Sequence, residues 1–348
     1  MKIKFICHKL VVGHGGIETV LVEVANYLSR FFDVSIVLVN MPHDKQWLSK
    51  FSKDVTVVLP KYQNKLYLIF YLLRLTLTTD KNDKMVVLGV NLVKAISLLK
   101  HVLLKKFTIF SWVHFSLVNQ DMFDPHNLVW ADYHLAISSA IKQQMISLGI
   151  PEKKIFLVLN PISRRPLISS LMSESSTKHL HLLYVGRTLF KGHKNLKELF
   201  DNVASLGKMV TLDIFGSSSK DELAQCMNYT KRLGIAKQVT WHGWTENPMD
   251  QLTNWPFALV MTSVFEGLPM AMLEAMSRGI PVITTRFEGY DSVLKEEING
   301  FSYTSGDIQG FRNAITKLQQ HSLPPQQVSE SIAEYNYFKR LKTVLERY

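Results

Sequence analysis

Short apolar runs at Ile3–Cys7, Val34–Val39, Val55–Leu59, Met85–Val90 and Thr108–Val113 are separated by longer stretches whose apolar side chains recur at helical spacing. Runs this short and continuous read as strands buried on both faces, each followed by a covering helix. The alternation predicts an α/β doubly wound, Rossmann-like domain over residues 1–163. A break follows at Asn160-Pro161-Ile162-Ser163-Arg164-Arg165-Pro166, and the polar, serine-rich segment Ser169–Lys178 reads as a linker or loop. A second series begins at Leu180–Val185 and continues with Val210–Phe215, Val239–His242, Phe257–Met261 within an apolar run that reaches Phe265, and Val282–Thr284, predicting a second domain of the same kind over residues 164–330. No internal repeat or low-complexity tract interrupts either series. Open α/β sheets bind ligands beyond the carboxyl ends of their strands, so two such domains facing each other are expected to share a site in the cleft between them.

Charge changes this picture in one respect. The net charge of the 348 residues is +11, and residues 1–165 carry 21 basic against 11 acidic side chains, so the first half is the basic one. That suits an anionic substrate or surface, while the absence of zinc-finger spacing, an arginine-rich arm or an RNP-like aromatic pattern argues against nucleic acid. Lys61–Leu77 and Asn91–Lys106 set leucine and aromatic side chains beside Lys61, Lys65, Arg74, Lys94, Lys100, Lys105 and Lys106. Both stretches read either as helices on an anionic bilayer or as sheet-covering helices. No run reaches the roughly 18 apolar residues of a membrane span, which leads us to expect a cytoplasmic protein. Cys7 and Cys226 have neither disulfide-scaffold nor metal-ligand spacing and are expected to be free thiols.

The densest chemistry lies in Ser263–Val282, SVFEGLPMAMLEAMSRGIPV. Glu266 ends the apolar run, Gly267-Leu268-Pro269 turns the chain, and a helix follows with Met270, Leu273 and Met276 inward. Pro269 suits a first turn, where no amide hydrogen is needed. The amides of Met270, Ala271 and Met272 are then unpaired donors at a positive dipole end, a place for a diphosphate. Glu274, one turn in, is placed to accept from a ribose, and Glu266 from a sugar.

Other candidates sit at predicted strand ends. Gly13-His14-Gly15-Gly16-Ile17-Glu18 follows the first strand; Gly15 and Gly16 permit close backbone approach to a phosphate or sugar, but the run lacks the G-x-G-x-x-G of a dinucleotide enzyme. Arg187 and Lys191 in YVGRTLFKGHKN form a candidate clamp for charge on a departing diphosphate. His114 is either a structural residue or a partner of the sugar. Trp241-His242-Gly243-Trp244 offers a nucleobase a stacking face and backbone groups at Gly243 and Trp244, or else packs in the core. No metal-binding pattern and no G-x-S-x-G is present, so neither a metal nor another cofactor is expected.

The pattern S-x-x-E-G-x-P-x-x-x-L-E-A-M, with seven residues between Glu266 and Glu274, resembles the retaining glycosyltransferases of family 4. Gly15-Gly16-x-Glu18, Gly186-Arg187 with Lys191-Gly192, and Gly279-Ile280-Pro281-Val282 support it. Within that family WVHFSL at Trp112–Leu117, ADYHLAISS at Ala131–Ser139 and GDIQGF at Gly306–Phe311 are similar to bacterial lipopolysaccharide core galactosyltransferases along nearly their whole length. The resemblance implies a GT-B fold and a carboxyl-terminal helix within 331–348, about Ile332–Tyr348, crossing back onto the first domain. It also implies transfer of galactose from UDP-galactose, with retention, to a glucose of the lipopolysaccharide outer core at the inner-membrane surface. By position Arg187 and Lys191 would hold the diphosphate, Glu274 the ribose and Glu266 the donor sugar, with Gly15 and Gly16 approaching the donor and His114 on the sugar side. Rival readings are a same-fold transferase using UDP-glucose or UDP-N-acetylglucosamine, an epimerase, and a non-catalytic nucleotide-sugar-binding membrane protein.

Overall fold

A computed structural model describes residues 1–7, 16–42, 44–118, 122–160, 162, 165–168, 179–332 and 337–348. It divides into two compact units, Met1–Ser163 with Asn336–Tyr348, and Arg164–Tyr335.

In the first unit the strands are β1 (Lys2–Cys7), β2 (Asp33–Leu38), β3 (Val55–Val58), β4 (Lys84–Val87), β5 (Thr108–Val113), β6 (Tyr133–Ala136) and β7 (Ile155–Leu157). They form one sheet in the order β3-β2-β1-β4-β5-β6-β7, and every pairing is parallel. Parallel pairing requires crossovers, supplied by α1 (Gly16–Leu28), α2 (Lys65–Leu77), α3 (Val90–Val102) and α4 (Ser139–Ser147). A further helix, α10 (Tyr337–Arg347), belongs to this unit: Phe338 stacks against Tyr27 of α1 at 4.8 Å. Tyr348 sits between Tyr133 and Phe156, at 4.8 and 4.7 Å, while its carbonyl accepts from Thr108 Oγ1 at 3.1 Å.

The fourth strand is shorter than its apolar run, because Gly89 already serves as the N-cap of α3. The sequence pattern misses β6 and β7. Strand β7 has only three residues, and β6 contains His134, whose Nδ1 is bonded to Ser111 Oγ at 2.8 Å inside the sheet. Burial holds that imidazole down, to about 4, so it stays neutral across the physiological range.

The second unit has β8 (Leu180–Val185), β9 (Val210–Phe215), β10 (Val239–Gly243), β11 (Ala258–Met261), β12 (Val282–Thr285) and β13 (Gly300–Tyr303), in the order β10-β9-β8-β11-β12-β13 and all parallel. Its helices are α5 (Leu196–Ser205), α6 (Lys220–Arg232), α7 (Met270–Ser277), α8 (Ile308–Gln320) and α9 (Pro325–Ser331). One core cluster joins Leu182, Tyr184, Leu212, Ile214 and Val260 of the sheet to Phe200 of α5 and Phe311 of α8. The order reverses between β8 and β11, the kind of switch point at which open sheets bind ligands.

The apolar run Phe257–Phe265 is not a strand throughout. Pairing ends at Met261, and Val264 and Phe265 lie exposed in the following loop. The loop leaves the sheet because Thr262 Oγ1 turns to the carbonyls of Lys194 and Asn195, at 3.1 and 3.0 Å.

Candidate active site

The carboxyl ends of β8, β9 and β10 are tied by backbone bonds. Gly186 N donates to Phe215 O at 2.9 Å, Thr188 N to Ser217 O at 2.9 Å, and Gly216 N to Gly243 O at 2.7 Å. The buried Tyr184 hydroxyl donates to the Arg187 carbonyl at 2.8 Å, fixing the turn from beneath. Gly216 packs so closely on this turn that a Cβ there would overlap the Gly186 carbonyl oxygen and lie 2.7 Å from its carbon.

Beyond Arg187 the loop is pinned at several points. Phe190 N donates to Glu222 Oε2 of α6 at 2.6 Å. Asn195 takes a left-handed φ of 47°, and its side chain donates to Glu198 Oε2 at 2.8 Å. Glu198 is buried and also accepts from the Tyr303 hydroxyl, Ser305 Oγ and Gly306 N, at 3.1, 2.6 and 3.0 Å, which joins α5 to the end of β13. Val264 N donates to His193 O at 2.8 Å, closing the 189–195 loop onto the loop after β11.

This closure puts Lys194 on Glu266. Lys194 Nζ donates to Glu266 Oε1 at 2.6 Å, with side chains only 15% and 13% exposed, and Ser263 Oγ donates to the same oxygen at 2.7 Å. Ser263 is itself held by Thr285 Oγ1, which donates to its carbonyl at 2.6 Å. Both donors converge on Oε1, which holds the carboxylate in place. His193 is held below the ordinary imidazole range, first by burial and next by the Lys194 charge, so it stands neutral beside the pair.

Of the predicted site residues, Glu266 is thus built in, and Arg187 stands exposed on the anchored turn. Lys191 is exposed next to Gly192; the cation at Glu266 is Lys194, which spacing alone passed over although both lie in KGHKN. The loop Gly267-Leu268-Pro269 leads into α7 with Pro269 as N-cap and Met270 as first residue. One expected free donor is taken, since Met272 N bonds to Pro269 O at 3.1 Å; Glu274 lies half-buried one turn in.

The Trp241–Trp244 segment divides. Trp241 packs edge-on against Phe200 at 5.9 Å in the core, and His242 stacks on Phe215 at 4.1 Å and bonds Asp213 at 3.0 Å. Gly243 has φ 72° at a register shift, and Trp244 is 53% exposed, so its ring alone of the two indoles offers a face. In the first unit Gly16 opens α1 and His114 lies 4.5 Å from Trp112; Gly15 lies outside the described residues. Among the described residues no group of three His, Cys, Asp or Glu side chains is placed to hold a metal ion.

Comparisons with known proteins fit this geometry. Residues 172–336, which contain the Lys194–Glu266 pair, match the family described as glycosyl transferases group 1. The lipopolysaccharide 1,6-galactosyltransferase of Salmonella typhimurium is 38% identical over 251 residues, 69% of this chain and 68% of that protein. The Escherichia coli enzyme of the same name is 35% identical over 246 residues, 68% and 67% of the two chains. These sequence matches cover about two thirds of the chain. The structural match is complete: a lipopolysaccharide outer core galactosyltransferase superposes with a TM-score of 0.83 at 30% identity, covering 99% of both chains. With two parallel-sheet, Rossmann-like units of seven and six strands, the chain has the GT-B fold and belongs to the group 1 glycosyltransferases.

Proposed function

We propose that this glycosyltransferase moves galactose from UDP-galactose to a glucose of the lipopolysaccharide outer core, with retention and without a metal, as a member of family 4. The observation that carries the substrate assignment is the 38% identity to the Salmonella galactosyltransferase. In this reading Glu266, oriented through Oε1 by Lys194 and Ser263, offers Oε2 to a donor-sugar hydroxyl. Arg187, with Lys191 or Lys194, meets the diphosphate, Glu274 the ribose, and the backbone at Gly267–Met270 the phosphate oxygens. Gly243 and Trp244 serve the nucleobase, and Gly16 and His114 keep the roles that the resemblance gives them. Retention without a protein nucleophile fits front-face attack, in which the leaving phosphate oxygen takes the acceptor hydroxyl's proton as the new glycosidic bond forms.

The test is turnover of a panel of UDP-sugars in EDTA, with and without truncated lipopolysaccharide core. Galactose transfer only with acceptor is expected; transfer of glucose or N-acetylglucosamine instead would overturn the donor assignment. Arg187→Ala is expected to lower kcat by about 10²–10³ with an unchanged melting temperature, since a donor aimed at developing charge is worth about that much. Wild-type turnover in that variant would remove Arg187 from the clamp.

We also assign the enzyme to the cytoplasmic face of the inner membrane. Helix α2 buries Leu72 and Thr76 yet leaves Leu66, Ile69 and Phe70 at 81%, 60% and 62% exposed, and neither α2 nor α3 contains an acidic residue. An apolar stripe on a basic, acid-free surface suits an anionic bilayer. Among the described residues no helix is long and apolar enough to cross a membrane. Co-sedimentation with phosphatidylglycerol vesicles is expected to exceed that with phosphatidylcholine, and to fall at least about tenfold in Ile69→Asn/Phe70→Ser as apolar burial is lost. Equal sedimentation of both lipids and both proteins would refute this location.

A further inference from the structure

Lys191 leaves the chain from a segment that is bonded along both edges. Asn195, the N-cap of α5, turns its side chain to Glu198, and the first two amides of the helix donate instead to this segment. Leu196 N meets the Leu189 carbonyl at 3.0 Å and Lys197 N the Phe190 carbonyl at 2.9 Å. The N–H of the Leu189–Phe190 peptide points the other way, to Glu222 Oε2 of α6 at 2.6 Å. One planar peptide unit is therefore held at its oxygen by the start of α5 and at its nitrogen by the start of α6.

Glu222 leaves a local role to make this bond. Ser219-Lys220-Asp221-Glu222 has the spacing of a capping box, and Ser219 Oγ accepts from Glu222 N at 3.2 Å. In a complete box the glutamate returns to the backbone of the capping serine, whereas this carboxylate crosses 32 positions to Phe190. The Phe190 ring takes a second hold on α6, edge-on to Tyr229 at 5.0 Å, and the Tyr229 hydroxyl donates to Asp201 Oδ1 of α5 at 2.6 Å. Ring packing locates the Phe190 side chain, and the carboxylate decides which way the backbone passes.

We infer that Glu222 is a positioning residue for the donor diphosphate: by holding Phe190 N it sets the reach of Lys191, the next residue in the chain. Lys191 is exposed, so the direction of its side chain follows from the backbone that presents it. The meeting of Lys191 with the diphosphate rests on the reaction proposed above; the hold on the Leu189–Phe190 peptide rests on the bonds alone.

Calorimetric titration with UDP, beside galactose-transfer kinetics and thermal melts of the full chain, tests it. Glu222→Ala is expected to weaken UDP binding about tenfold and to lower kcat of the folded fraction by about as much, because small misplacements of a positioned cation are costly. Glu222→Gln, whose amide oxygen still accepts from Phe190 N, is expected to recover most of both. Asp221→Ala removes a charge from the same first turn without touching the loop, and is expected to bind UDP as the wild type does. Coupling is the readout that a merely structural role would not move: on a Lys191→Ala background, Glu222→Ala is expected to change UDP affinity by less than about twofold. A lower melting temperature with wild-type UDP affinity and kcat would overturn the inference. So would additive losses in the double variant, or wild-type UDP binding by Lys191→Ala. The two proposals fail separately. UDP binding that depends on Glu222 in a wild type that transfers no galactose would keep the positioning role and remove the reaction. Galactose transfer with UDP affinity unaltered in Glu222→Ala would keep the reaction and remove the role.

Discussion

Gly216→Ala is expected to be the most damaging single-methyl change in the second unit, lowering stability by about 3 kcal/mol or more and turnover by at least about 10². The methyl would overlap the Gly186 carbonyl oxygen and stand 2.7 Å from its carbon, both backbone atoms with no rotamer to yield. Relief requires the Gly186–Arg187 turn to leave β9, breaking the 2.9 Å bond from Gly186 N to Phe215 O and moving the Tyr184-anchored Arg187. Gly207→Ala is the control: it also carries a positive φ, 81°, but its Cβ would meet nothing within 4 Å. Thermal melts of both variants, with turnover of the folded fraction, check this; equal melting temperatures would show that the turn is not held by close packing.

Lys194→Met is expected to be nearly as costly and more informative. Removing the cation strands Glu266, only 13% exposed, beside Ser263, and breaking a largely buried pair costs about 3–5 kcal/mol. Glu266→Gln leaves the Lys194 ammonium unpaired in the same place and is expected to cost a similar amount. The double variant Lys194→Met/Glu266→Gln removes both charges, so much of the stability is expected to return while turnover stays low. Lys191→Met, at an exposed position, is expected to change stability by no more than about 0.5 kcal/mol. Denaturant melts of the four proteins give the coupling energy directly. Additive losses would show that the ion pair contributes nothing in solution, and recovered turnover in the double variant would show that Glu266 does not act on the donor.

The rhythm of apolar runs is sufficient for the doubly wound architecture. Where a run reaches six residues, as in β5, β8 and β9, the observed strand coincides with it residue for residue. The pairing of Glu266 and Glu274 with the turn before α7 is likewise visible in one dimension, because strand, turn and helix follow each other without interruption. Strands β6, β7 and β13 escape that reading. They span four, three and four residues, and their ladder hydrogen bonds all come from neighbouring strands rather than from a local pattern.

The apolar run ending at Phe265 misleads for the complementary reason. Thr262 finds the carbonyls of Lys194 and Asn195 and draws the chain off the sheet, a contact across 67 and 68 positions that no local pattern records. Which lysine meets Glu266 is decided in the same way. Arg187, Lys191 and Lys194 share one loop of similar charge, and only the left-handed Asn195, the buried Glu198 network and the bond from Val264 to His193 turn Lys194 inward and leave Lys191 in solvent. Side-chain direction in an irregular loop follows from long-range hydrogen bonds, whereas strand and helix period follow from neighbours along the chain, so the sheets could be read before folding and the ion pair only after it.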